Sequence, residues 1–102
     1  LLGAYNNEGT LIGTLMGIIC YDMVIECDPF MVAENLIVDE HYFKKGVATK
    51  LFKRLEEIAL EHKCIFLQFC SSMFRKEAHK LYEKIGYDPK MVKGYRKFFN
   101  YD

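Results

Sequence analysis

Missing from this chain are an excess charge of either sign, long apolar runs, paired cysteines and any low-complexity stretch. Each absence narrows what it can be. Its 14 lysines and arginines are balanced by 14 aspartates and glutamates. Proteins that grip nucleic acid or a membrane surface over a broad face usually carry a basic excess, so neither partner is expected. No apolar stretch approaches the roughly 20 residues that a membrane-spanning helix needs. The four cysteines, Cys20, Cys27, Cys64 and Cys70, form no Cys-x-x-Cys pair, and all but Cys27 lie in apolar runs. They read as buried reduced thiols of a cytoplasmic protein, not as disulfides or zinc ligands. The three histidines lack ligand spacing as well, so no metal is assigned.

What is present is a half-apolar chain of 102 residues, enough for one domain with a modest core, taken as residues 1–102. It opens on Leu1-Leu2 and not on methionine, as a fragment or a processed product would. Leu1 to Tyr5 and Thr10 to Val24 flank the turn signal Asn6-Asn7-Glu8-Gly9 and read as a hairpin. Gly13 and Gly17 inside its second arm mark a bulge or a close approach. Asp28-Pro29 breaks the pattern, and Met31 to Val38 is a third strand. From Val47 to His62 the period changes to 3.6: Val47, Leu51, Leu55 and Ile58 form a stripe that Ala48, Phe52 and Ala59 widen. Cys64 to Cys70 is a nearly continuous apolar run, expected as a strand covered on both faces. Ser71 and Ser72 offer caps for a helix over Phe74 to Ile85, which Gly86 ends. A short strand at Tyr87 and a last one over Tyr95 to Tyr101 complete the order β-β-β-α-β-α-β-β.

The most informative stretch joins the third strand to the first helix. An apolar run ends in Asp39, and Lys44-Lys45-Gly46 then opens the amphipathic helix. A helix start carries unpartnered backbone N–H groups and the positive end of the peptide dipoles. Two lysines and a glycine, which lets the backbone come close, make that end an anion site of phosphate size.

In three segments the chain resembles the GNAT superfamily of acetyl-CoA-dependent N-acetyltransferases. Asn35 to Tyr42 looks like the family's fourth strand and the connection after it. Lys45-Gly46-Val47-Ala48-Thr49-Lys50-Leu51 looks like the second half of its pyrophosphate motif, Q/R-x-x-G-x-G/A. Ala78 to Tyr87 is similar to the A-x-x-x-Y-x-x-x-G-F/Y signature of its last helix. The resemblance implies an α/β (α+β) fold, a mixed and mostly antiparallel sheet flanked by helices. It also implies that the family's opening strand and two helices are missing. The motifs have departures: Phe43 stands at the Q/R position, Lys44 at a frequent glycine, Arg75 at a frequent asparagine, and Cys70 where some members have glutamate.

The resemblance further implies transfer of acetyl from acetyl-CoA to a primary amine. Lys44, Lys45, Gly46, Val47, Ala48 and Thr49 would hold pyrophosphate, and the backbone of Leu36, Ile37 and Val38 the pantetheine arm. Backbone N–H bonds to a charged phosphate are worth about 1.5–3 kcal/mol each. A lone charge near a helix start is worth about 0.3–1 kcal/mol, so the site should survive Phe43. Tyr82 would be the general acid for the leaving thiolate, or else a stripe residue between Leu81 and Ile85. Glu34, in an apolar strand, would be the base, or else an outward-facing carboxylate; Glu26 and Asp28 are weaker alternatives. Arg75 would reach cofactor phosphate or simply pair at the surface, and His79 is expected at the surface. The first helix's charges read as a solvated face.

A second reading is a non-catalytic CoA-binding or regulatory module, suggested by Phe43, Cys70 and the missing segment. A third is an interaction domain without cofactor. Expected partners are a small-molecule or peptide amine, and a homodimer contact or the missing segment over an uncovered part of the sheet.

Overall fold

In the computed structural model, residues 1–21 and 28–100 are described. The first apolar runs form strands β1 (Leu2–Tyr5), β2 (Leu11–Tyr21) and β3 (Pro29–Val38). The turn between β1 and β2 is built by one side chain. Asn6 Oδ1 accepts from the N–H groups of Glu8 and Thr10, each at 2.9 Å, and Gly9 supplies the left-handed φ of 82°. Proline is tolerated at Pro29 because it is the first residue of its strand. After β3 comes a 3-10 turn, Glu40–Tyr42, then helix α1 (Val47–Glu61), strand β4 (Leu67–Gln68) and helix α2 (Lys76–Lys84).

The sheet runs β1-β2-β3-β4, antiparallel except for β4, which joins β3 in parallel through Met31↔Leu67 and Val32↔Gln68. This is the mixed, mostly antiparallel α+β fold expected from the sequence. The chain divides into two compact units, Leu1–Phe69 and Cys70–Asp102.

In the first unit α1 lies on the face of β2 that carries Gly13, Leu15 and Gly17. Leu51, Phe52, Leu55 and Ala59 are buried there with Leu15, Met31 and Ala33. The two glycines are there for clearance. A Cβ on Gly13 would sit 2.9 Å from Val47 Cγ1, and one on Gly17 2.5 Å from Leu55 Cδ1. The opposite face carries Ile18, Ile37 and Phe66, all exposed, with Phe66 stacked on Phe30 at 5.0 Å. On the solvent side of α1, Arg54 reaches Glu57 at 3.1 Å and Glu61 at 3.6 Å, surface pairs of small energetic weight.

Both helices end in the same way. Lys63 (φ 60°) donates to Leu60 O and Cys64 to Ala59 O. Gly86 (φ 105°) donates to Glu83 O and Tyr87 to Tyr82 O. These paired bonds are Schellman closures, and Gly86 is the expected residue past the helix end.

Several expectations need correction. The two closing strands are not formed: residues 87–100 enter no ladder, and residues 88–100 are exposed. Aromatic content favours strands only where a partner edge and a covered face exist; residues 101 and 102 lie outside the description. The 64–70 run is a two-residue strand with Ile65 and Phe66 exposed, not one covered on both faces. Neither serine caps α2. Its N-cap is Arg75 with no side-chain bond, Ser72 Oγ accepts weakly from Phe74 N at 3.4 Å, and Ser71 Oγ is buried without a partner among the described residues. The thiols are not buried: Cys20 and Cys64 are half-buried and Cys70 is exposed. All three are free, and the partial desolvation of Cys64, together with nearby Cys20, pushes its thiol up. Cys27, Glu26 and the strand end at Val24 fall outside the described residues.

Candidate active site

Strand β3 is interrupted where the candidate pantetheine contacts begin. Its pairing with β2 passes from Thr14↔Ile37 to Met16↔Glu34, so Leu15 faces two residues, Asn35 and Leu36. Asn35 takes up the extra residue at φ 56°, the left-handed conformation that asparagine tolerates better than most. Beyond this bulge, Gly13 stands opposite Val38, and Asp39 N donates to Ile12 O at 2.8 Å. In an antiparallel ladder this makes Val38 part of a non-hydrogen-bonded pair, with its own N–H directed away from β2. Alternation sends the Leu36 N–H the same way, while Ile37 turns its amide toward β2. Strand β4 pairs with β3 only at Met31 and Val32, so the edge carrying Leu36 and Val38 has no strand beside it in the first unit. Of the three backbone candidates, Leu36 and Val38 offer donors, and Ile37 offers a side chain that is 64% exposed.

From Val38 the chain passes directly into the second feature. Asp39 starts the 3-10 turn, its Oδ1 accepting from His41 N and lying 2.9 Å from His41 Nδ1. These bonds hold the Asp39 carboxyl below its ordinary value. Lys44 and Gly46 follow with left-handed φ of 61° and 82°. Gly46 is the N-cap of α1 and makes no side-chain cap bond, no acidic residue occupies the first turn, and the first helical bond is Lys50 N to Gly46 O at 3.0 Å. The N–H groups of Val47, Ala48 and Thr49 are therefore open donors at the positive end of a 15-residue helix. A Cβ on Gly46 would meet nothing within 4 Å, so open space adjoins the helix start at that residue. Lys44, Lys45 and Phe43 are exposed. Lys45 Nζ lies 5.5 Å from the centre of the Tyr42 ring. This arrangement fits an anion with several acceptor oxygens. An open cavity of about 180 Å³ lies along the start of β2 and the end of β3, lined by Leu11, Ile12, Gly13, Thr14, Ile37 and Asp39.

The other candidates are dispersed. Glu34 is exposed opposite Met16, so the cost of burying an unpaired carboxylate, the ground for singling it out, is not incurred. Asp28 is half-buried. In the second unit Tyr82 is 7% exposed on α2, one turn before the Gly86 closure, and its ring centre is 6.5 Å from that of half-buried His79. Arg75 is exposed at the start of that helix and has no ion pair among the described residues.

A family model described as the acetyltransferase (GNAT) family matches residues 1–87. The chain belongs to the GNAT family. Solved structures agree on the fold. An integron cassette protein from the mobile metagenome of V. cholerae is similar at 25% identity and a TM-score of 0.80 over 90% of this chain and 56% of its own. A ribosomal-protein-alanine N-acetyltransferase from Brucella melitensis biovar Abortus matches at 22% identity and TM-score 0.79, covering 94% and 68%. AAC(6')-Iy, solved with a CoA-linked bisubstrate analogue, matches at 24% identity and TM-score 0.74, covering 92% and 66%. This GNAT chain thus spans less than two thirds of the length of the first of these structures. No curated protein matches it.

Sequence reasoning missed how the loop before α1 is anchored. Asn6 Nδ2 donates to Tyr42 Oη at 3.1 Å across 36 positions, tying the β1–β2 turn to the residue before Phe43. The turn signal at Asn6 was readable, but the third hydrogen bond of its side chain is tertiary. No group of three or more His, Cys, Asp or Glu side chains among the described residues is arranged to hold a metal. Nor is any described helix long and apolar enough to cross a membrane.

Proposed function

We propose that this chain transfers acetyl from acetyl-CoA to a primary amine. The observation that carries the reading is the continuity of two open donor sets. The bulge at Asn35 leaves the Leu36 and Val38 N–H groups directed away from β2, and a few residues on Val47, Ala48 and Thr49 present theirs behind the left-handed Gly46. The second set suits pyrophosphate, with Lys44 and Lys45 standing in for the cation that Phe43 replaces. The first suits the amides of a pantetheine arm and a thioester carbonyl whose oxygen gains charge as the amine attacks. Residues 1–102 are read as one catalytic domain.

In this reading the neutral amine nitrogen forms a bond to the acetyl carbon and gives up a proton to Glu34 or water. The carbon–sulfur bond breaks, and the Tyr82 hydroxyl gives its proton to the departing sulfur and is reprotonated by the proton that the amine released. A positioned acid is worth about 10²–10⁴-fold. A thiol near pKa 8.5 leaves tolerably as thiolate, which puts the expectation at the lower end, about 10²-fold. The exposed Glu34 would then act on solvent-accessible amine, directly or through water. Tyr82→Phe should lower turnover and leave acetyl-CoA affinity nearly unchanged; equal turnover in the two proteins removes Tyr82 from the mechanism. The similar structures include a ribosomal-protein-alanine N-acetyltransferase and a protein bound to a CoA–acetylneamine bisubstrate analogue, so an amine panel spanning peptides and small molecules tests the acceptor.

A second reading, CoA binding without catalysis, is favoured by one observation: Glu34, the candidate base, is exposed, and no charged residue is buried among the described residues. CoA binding together with no transfer to any member of a broad amine panel would select it.

A further inference from the structure

The loop before α1 rests on a support that reaches it from the β1–β2 turn, 36 positions earlier in the chain. Asn6 Oδ1 accepts from Glu8 N and Thr10 N, each at 2.9 Å. Those two bonds identify the oxygen of the amide and leave its nitrogen to donate to Tyr42 Oη at 3.1 Å. The Tyr42 ring is thus held at its hydroxyl end by a turn that is itself closed by backbone bonds Asn6 N to Thr10 O and Gly9 N to Asn6 O. Over the ring sits Lys45 Nζ, 5.5 Å from its centre. An exposed lysine has several free rotors and samples many positions; a fixed aromatic face restricts them and attracts the ammonium group. Lys45 directly precedes Gly46, whose left-handed turn opens α1.

We propose that Tyr42, clamped by Asn6, is a positioning residue that holds Lys45 Nζ at the anion site and so contributes to binding the phosphates of the acetyl donor. The inference rests on the acetyl-CoA reading of that site. Tyr42 touches no reacting atom; it acts through Lys45, and it compensates for the apolar Phe43 at the next position.

The test is calorimetric titration of the whole chain and its variants with CoA and with pantetheine, which lacks the phosphates. Lys45→Ala should weaken CoA binding about three- to fivefold, as loss of one exposed cation–phosphate contact does. Tyr42→Leu should weaken it by a similar factor, and adding it to Lys45→Ala should cost nothing more. Tyr42→Phe, which keeps the ring and loses the Asn6 bond, should fall between. Pantetheine affinity should be the same throughout, which a general loss of structure would not allow. CoA binding by Tyr42→Leu equal to wild type, or independent effects of the two substitutions, overturns the inference alone. A wild-type chain that binds no CoA overturns the reading of the site and the inference with it.

Discussion

Replacing Gly17 by alanine tests how α1, and with it the start of the anion site, is seated on the sheet. The added Cβ would stand 2.5 Å from Leu55 Cδ1, 3.4 Å from Leu55 Cγ and 3.1 Å from Met31 Sδ. Carbon atoms rest at about 3.5–4.0 Å, so the leucine end has to give by about 1 Å. It has little room, since Leu55 is 3% and Met31 1% exposed. Overpacking of this kind costs about 1–3 kcal/mol, and removing a glycine from the unfolded chain returns about 0.5–1 kcal/mol. A net loss of about 1–2 kcal/mol is expected, with a fall in Tm of about 4–8 °C for each kcal/mol. Urea unfolding should show a lower midpoint at an unchanged slope. Gly3→Ala is the control: its Cβ would lie 3.0 Å from Leu11 Cδ1 and 3.1 Å from the Tyr5 ring, but both side chains are exposed and free to swing aside. It should change stability by less than about 0.5 kcal/mol. Combining Gly17→Ala with Leu55→Ala should cost less than the two singly, because the second substitution removes the clash. A Gly17→Ala protein as stable as wild type, or strictly additive with Leu55→Ala, would refute this packing argument.

Gly13→Ala should act on both stability and binding. Its Cβ would press Val47 Cγ1 at 2.9 Å and Ile37 O at 3.3 Å, displacing the first residue of α1; calorimetry should show weaker CoA binding than in Gly17→Ala. Lys63→Gly should stabilise by about 0.5–1 kcal/mol in thermal or urea unfolding, because glycine removes the strain at φ 60° and keeps both closing bonds. Asp39 contributes through a carboxyl held below its ordinary value of 3.8, mainly by the His41 backbone N–H. A depressed folded-state value means stability present above 3.8 and lost as pH falls below it. The stability advantage of wild type over Asp39→Asn, read by thermal unfolding at neutral pH, should therefore shrink at about pH 3.

Much of the fold was readable because local chemistry and tertiary demand agree. The change from runs of β-branched residues to a 3.6 period located α1 within a residue of Val47–Glu61, and Gly86 marked the end of α2 through the conformation that only glycine adopts freely. Gly13 and Gly17 signalled close approach, and α1 supplies it. What stayed hidden depends on partners far away in sequence. Nothing local in Asn35 announces that it absorbs a bulge, since a bulge is a property of two strands. The aromatics of residues 95–99 report strand preference but bring no partner edge with them, and they stay exposed and unpaired. Glu34 was singled out from apolar sequence neighbours, yet its strand position faces outward. At the candidate site, the Gly46 start of α1 was legible as a helix-start signal, whereas the Asn6–Tyr42 bond joins residues 36 positions apart.

The central claim is that the open donors behind Gly46 bind the phosphates of acetyl-CoA. Titrating the purified chain with acetyl-CoA by isothermal calorimetry tests it most directly, with pantetheine as the phosphate-free comparison. The account predicts a Kd of about micromolar for acetyl-CoA and binding at least about tenfold weaker for pantetheine. Equal affinity for the two, or no heat from acetyl-CoA at about millimolar concentration, would contradict it.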